Sequence, residues 1–121
     1  MVVSIYSRTD AKGQTSTIDF VVDLDGVLIF DRFSNNVPDT KIIYASGVKY
    51  RLAEWTGEFL QFLSEIPGAR VSFYSSGTRE RNLEVLEKIL LPNGTKAISI
   101  TSDKKEPPRI FSRDFWSSHS S

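Results

Sequence analysis

The chain has no cysteine and a single histidine, His119. The first absence excludes disulfide scaffolds, thiol nucleophiles and thiolate metal sites. The second leaves no histidine-based triad and no histidine zinc site, because His119 stands alone in a polar, serine-rich tail. An excess of either charge is also missing: 15 Lys and Arg balance 15 Asp and Glu. A neutral chain lacks the electrostatic footprint of a nonspecific nucleic-acid or acidic-membrane binder. No apolar run approaches the ~20 residues of a membrane span. The N-terminus, Met1 to Arg8, has no basic region followed by a long apolar core, so no signal peptide is expected. The expectation is a soluble cytoplasmic protein, although secretion by a nonstandard route would leave no readable trace. Its chemistry must rest on carboxylates, hydroxyls, lysine and arginine.

What is present is enough for one compact α/β domain. The 121 residues suit a single core, and a hydrophobic share of 40% supplies it. No repeat, linker or second domain is visible. The stretch Phe20-Val-Val-Asp-Leu-Asp-Gly-Val-Leu-Ile-Phe30 organises the rest. Its near-continuous apolar character predicts a strand buried on both faces, as in a parallel sheet. Residues two apart share a strand face, so Asp23 and Asp25 point the same way where the run reaches Gly26. Two carboxylates held that close repel and lose hydration. A cation, a shared proton or a dipole must offset the cost, and Mg²⁺ suits hard oxygen ligands.

The remaining elements follow in order. Val2 to Tyr6 reads as a short strand, and Ser7 to Thr17 as a polar lead-in. Thr40 to Leu52 reads as a hairpin of Lys41–Tyr44 and Val48–Leu52, with Gly47 in the turn. It serves either as an edge extension of the sheet or as a flap over the carboxylates. Glu54 to Ile66 is a predicted helix with Trp55, Phe59, Phe62, Leu63 and Ile66 toward the core. Val71 to Tyr74 is a strand ending in Ser75-Ser76-Gly77-Thr78. Arg79 to Leu91 is a second helix, capped by Thr78, with Leu83, Leu86, Ile89 and Leu90 on one side. Lys96 to Thr101, around Ala97-Ile-Ser-Ile100, is a third predicted strand, and Arg109 to Trp116 a short helix or strand. The tail Ser117 to Ser121 reads as frayed.

This order predicts crossover units and a mostly parallel sheet, with the site beyond the carboxyl ends of the strands. Two predicted strands end in reactive groups: Asp23 and Asp25 on one, Ser75 on the other. A phosphate ester between them would meet Asp23 as nucleophile and Asp25 as acid and base. Mg²⁺ would sit on both carboxylates, with the Leu24 carbonyl as a further ligand. Ser75 would donate to a phosphoryl oxygen, and the Ser76 and Gly77 amides would favour an anion. A cation is still required, and Lys104, Lys105 and Arg113 lie after the third predicted strand.

Asp23-Leu-Asp-Gly-Val-Leu28 resembles the first motif of the haloacid dehalogenase superfamily of aspartate-nucleophile phosphotransferases. Val71-Ser-Phe-Tyr-Ser-Ser76 is similar to its second motif, with Ser75 matched and Ser76 as the alternative. Between Arg51 and Leu91 the pattern resembles the capless branch that contains the RNA polymerase II C-terminal-domain phosphatases. The chain departs from that branch at Gly26-Val27, where the branch has Glu-Thr.

The resemblance implies a Rossmann-like three-layer sandwich without a large cap and with a short hairpin insert, residues 40–52, after the first motif. It implies a Mg²⁺-dependent phosphatase that hydrolyses a phosphate monoester, on a phosphoprotein, through an aspartyl-phosphate. Lys105, before Pro107-Pro108, or Arg113 would be the third-motif cation. The fourth motif, a later pair of acids, has no match. The expectation is therefore an incomplete N-terminal part of such a domain, a second chain that completes the sheet and the acidic site, or a noncatalytic phosphoprotein-binding or scaffold domain of the same fold.

Overall fold

The computed structural model describes residues 3–9, 16–101 and 110–111, with side chains described over 18–101 and 110–111. Strand β1 (Val3–Thr9) pairs antiparallel with β2 (Ser16–Asp23), Val3 opposite Val22 and Thr9 opposite Ser16. Both strands reach into the stretch expected as a polar lead-in. Ser and Thr at their ends join the ladder because a neighbouring strand takes up their backbone groups.

Strand β2 then pairs parallel with β6 (Ala69–Tyr74), from Ile18 opposite Ala69 to Asp23 opposite Tyr74. The connection between them carries a hairpin and a helix. Strand β6 pairs parallel with β7 (Ile110–Phe111), so the sheet runs β1-β2-β6-β7. The architecture of the described residues is mixed α/β: the main sheet has three parallel strands and an antiparallel edge, with two helices.

Two-sided burial of β2 is not observed. Phe20, Val22 and the following Leu24 are buried, whereas Asp19, Val21 and Asp23 are only partly so. By alternation Val21 shares its face with two carboxylates that require water. The predicted third strand is also corrected, since Ala97–Ile100 forms a 3-10 turn. Backbone bonds tie this segment back to the end of the preceding helix, Leu91 N–H to Thr95 O (2.9 Å) and Ala97 N–H to Ile89 O (2.8 Å). Its β-branched residues therefore do not make a strand, and β7 takes the parallel position.

The run 18–30 divides between two sheets. After β2 the Leu24 carbonyl accepts from the amides of Val27, Leu28 and Ile29 at 3.3, 3.0 and 3.0 Å. Gly26, at φ +77°, permits this reversal without the steric cost that a Cβ brings. The chain leaves as β3 (Ile29–Phe30), which pairs with β5 (Val48–Leu52) in a sheet ordered β3-β5-β4 with β4 (Ile42–Ala45). The hairpin turn places Ser46 and Gly47 both at positive φ, 51° and 77°, as a two-residue connection between twisted strands requires. This hairpin does not extend the main sheet. It docks on helix α2 (Arg79–Lys88), where Glu84 Oε2 accepts from the Ser46 amide at 2.8 Å and the Lys88 ammonium donates to the Tyr44 carbonyl.

Helix α1 (Thr56–Ser64) buries Thr56, Leu60 and Leu63, spaced four and three apart. Leu60 is fully buried on that face. Phe62 lies two positions on, about 200° round the helix, and is 65% exposed. Trp55 precedes the helix, is also exposed, and meets Phe59 edge-on at 5.4 Å between ring centroids. Phe62 and Trp55 therefore leave the predicted core stripe. Thr78 caps α2 as expected, its hydroxyl accepting from the Arg81 amide at 3.3 Å. The buried face of α2 is Arg81, Asn82, Val85 and Leu86. The helix stops at Lys88, so Leu90 falls outside the stripe and is exposed.

Candidate functional site

The parallel register brings the two reactive strand ends side by side. Strand β2 ends at Asp23 opposite Tyr74 of β6, and the Leu24 amide still donates to the Tyr74 carbonyl at 3.0 Å. One residue after β6, the Ser75 amide donates to the Phe111 carbonyl of β7, also at 3.0 Å. Ser75 is thereby fixed by the third parallel strand and is buried. Its hydroxyl donates to Asp25 Oδ2 in a short hydrogen bond. The same Oγ accepts from the Gly77 amide at 3.0 Å. Asp25 and Ser75, 50 residues apart in sequence, thus meet directly.

A third partner was not expected from the sequence. Arg81, in the first turn of α2, grips Asp25 with a two-pronged ion pair: Nη1 to Oδ1 at 2.9 Å and Nη2 to Oδ2 at 2.9 Å. Nη2 also donates to Ser75 Oγ at 2.7 Å. Planar guanidinium against planar carboxylate is the strong, directional form of the ion pair. The Arg81 side chain is only 8% exposed, whereas that of Asp25 is 40% exposed. The Tyr50 ring of the hairpin covers the guanidinium, with Cζ 5.3 Å from the ring centroid. Gly77 lies on another side, so close that a Cβ built there would fall 2.1 Å from Nη2.

The electrostatics follow from this packing. Burial pushes the Asp25 carboxyl up, but the hydrogen bonds from Arg81 and Ser75 and the Arg81 charge outweigh it and leave the pKa below its ordinary value. Burial likewise pulls Arg81 down, and its bonds and attraction to Asp25 more than restore it. At neutral pH the pair is a carboxylate and a guanidinium.

The predicted site residues therefore divide. Asp25, Ser75 and Gly77 are joined in one network. Asp23 lies partly buried at the end of the adjacent strand, and among the described residues no hydrogen bond or ion pair reaches its side chain. Ser76 is exposed in the loop between Ser75 and Gly77. Lys104, Lys105 and Arg113 lie outside the described residues. Among the described residues no three acids or histidines gather as a metal-holding group.

As arranged, these residues do not fit a magnesium ion. Mg²⁺ takes about six oxygens in near-octahedral geometry, usually one or two carboxylates with water and phosphate. Both Asp25 oxygens are occupied by Arg81, whose charge repels a metal. The Leu24 carbonyl, expected as a ligand, is filled by three amides. Asp23 remains.

A signal for Arg81 was present in the sequence. It stands four residues before Val85, as Asn82 does before Leu86, so both polar residues occupy the apolar stripe of α2. A guanidinium on that stripe requires a buried partner. Asn82 is fully buried, and among the described residues neither its amide nitrogen nor its oxygen has a hydrogen-bond partner. Comparison with protein-family models, with curated proteins and with solved structures found no match. The described residues include no helix long and apolar enough to cross a membrane.

Proposed function

We propose that the chain is a phosphate monoester hydrolase acting on a phosphoprotein in the cytoplasm, with Asp23 as the nucleophile, on a Rossmann-like three-layer fold without a large cap. The observation that carries this reading is the hydrogen-bonded meeting of Asp25 and Ser75 beyond two adjacent parallel strands, with Asp23, unpartnered among the described residues, at the end of one of them. Clefts beyond the carboxyl ends of parallel strands are where α/β sheets bind ligands.

In the first half-reaction an Asp23 oxygen attacks phosphorus, the P–O bond to the leaving alcohol breaks, and the alcohol oxygen takes a proton from Asp25. The product at Asp23 is an acyl phosphate. In the second half, water attacks phosphorus, Asp25 takes the proton, and the Asp23–phosphate bond breaks. Arg81 supplies positive charge at the strand ends. Its grip on Asp25 favours the carboxylate, so Asp25 can act as an acid only when Arg81 lets go.

The test is turnover of an aryl phosphate by the full chain, with and without Mg²⁺, against Asp23→Asn. The expected result is a loss of at least about a hundredfold. Activity that survives the substitution removes Asp23 from the nucleophile role.

One observation favours a second reading, a noncatalytic phosphoprotein-binding domain. Every oxygen of the Asp25–Ser75 pair is already engaged by Arg81 or Gly77. A phosphate mimic that binds wild-type protein with no turnover of any phosphorylated peptide selects that reading.

A further inference from the structure

Away from the strand ends, Trp55, Phe62 and Leu90 expose large apolar side chains, and all three lie on α1 or beside it. Two contacts hold the segment after α2 against the helix. A Cβ built on Gly57 would fall 2.8 Å from the Leu90 carbonyl oxygen, so the two backbones touch there. One helical turn further on, the Asn93 amide donates to Gln61 Oε1 at 2.9 Å. Between the helix and this segment runs an open groove of about 220 Å³. Phe62 and Pro92 are its apolar walls, and Glu58, Gln61 and Glu65 line the rest.

The groove is acidic as well as apolar. Glu58 and Glu65 are seven residues apart, so they stand on one line of the helix, ~10 Å apart along its axis. Phe62 is the neighbour of both, four residues after the first and three before the second. From Leu52 to Ala69 the sequence carries three glutamates and no lysine or arginine. Among the described residues no ion pair reaches Glu58 or Glu65. Two uncompensated carboxylates therefore flank an exposed aromatic ring.

We propose that this groove docks a basic segment of a partner protein, with an arginine laid between Phe62 and Pro92 and its charge between Glu58 and Glu65. The methylene stem of an arginine covers apolar surface while its head stays at the rim. Its planar guanidinium stacks on an aromatic ring and pairs with carboxylates, which a point charge does less well. Charge complementarity selects this occupant over the others. A second copy in two-fold pairing would set the patch against itself, glutamate facing glutamate. An anionic membrane surface would be repelled for the same reason. None of the strand-end residues lines the groove, so the proposal stands whether or not the chain turns over a phosphate ester.

The experiment is a titration of the full chain, followed by amide resonances, with a short synthetic peptide of arginine, leucine and serine. Its counterpart carries glutamate in place of arginine. The arginine peptide is expected to shift Glu58 to Glu65 and Asn93 and to bind at least about tenfold more tightly than its counterpart. Its affinity should fall as salt is raised. Phe62→Ala removes the ring, and Glu58→Gln with Glu65→Gln removes the charges at near-constant shape. Each should weaken the arginine peptide at least about fivefold. All three positions are at the surface, and if one variant fails to fold the other decides. Absence of binding, equal affinity for the two peptides, shifts confined to other elements, or unchanged affinity in the folded variants overturns the proposal. So does a dimer in sedimentation that Phe62→Ala dissolves, which makes a second copy the occupant. Binding to phosphatidylcholine vesicles that Phe62→Ala abolishes would assign the patch to lipid instead.

Discussion

Replacing Asp25 by alanine and Arg81 by methionine, singly and together, measures what this half-buried ion pair contributes to the fold. Methionine keeps much of the apolar stem of Arg81 packed and deletes its donors. A hydrogen bond to a charged group contributes about 1.5–3 kcal/mol, and breaking a fully buried pair costs about 3–5 kcal/mol. The Arg81 side chain is 8% exposed but that of Asp25 is 40% exposed, so water screens one end and rehydrates the carboxylate when its partner is lost. The expected single-variant losses are therefore about 2 kcal/mol each, with a coupling of about 1.5 kcal/mol in the double-mutant cycle. Urea unfolding at pH 7 supplies the four free energies. The pH dependence has a fixed sign. The Asp25 pKa in the folded protein lies below its ordinary value of 3.8. The coupling should stay constant from pH 7 down to the ordinary carboxylate range and vanish as the pH falls through the lowered folded value. A coupling below about 0.5 kcal/mol at pH 7 refutes the pair as an energetic unit. One that grows on acidification refutes the assigned charge states.

The core assignments give two further tests by urea unfolding. Leu60→Ala should cost about 2–5 kcal/mol because it opens a cavity under the buried face of α1, whereas Phe62→Ala should stay within about 0.5 kcal/mol; equal losses would contradict the helix rotation. Asn82→Leu should be stabilising by about 1–3 kcal/mol, since it replaces a fully buried amide without hydrogen-bond partners by an apolar side chain of similar size; a loss of stability would mean that ordered water satisfies the amide.

The correspondence between sequence and structure is uneven, and the unevenness has a pattern. The hairpin was legible because Ser46-Gly47 between β-prone runs is a local signal, decided by the φ preferences of two residues. Thr78 as helix cap was legible for the same reason. The α1 stripe was misjudged because aromatic residues were weighted by hydrophobicity. Trp55, Phe59 and Phe62, at i, i+4 and i+7, share one face, but the face that turns inward is that of Thr56, Leu60 and Leu63. The end of α2 was misjudged because Leu90 continues the apolar content but not the backbone, which turns to bond with residues 95–97. Ala97–Ile100 has strand propensity, but its backbone groups are taken by the preceding segment before any sheet can claim them.

Sequence alone determined the two strand ends and the glycine turn after the aspartates. These follow from chemistry within a few residues. Tertiary structure alone decided that β7 is the third parallel strand and that Arg81 answers Asp25 across 56 residues. A carboxylate in an apolar run announces that it needs a cation. Which cation comes depends on the parallel register of β2 and β6 and on the rotation of α2 about its axis. Both are set by the packing of residues such as Val22, Phe73, Val85 and Leu86. The sequence reading looked for that charge in a metal and a later lysine. The fold places a guanidinium there.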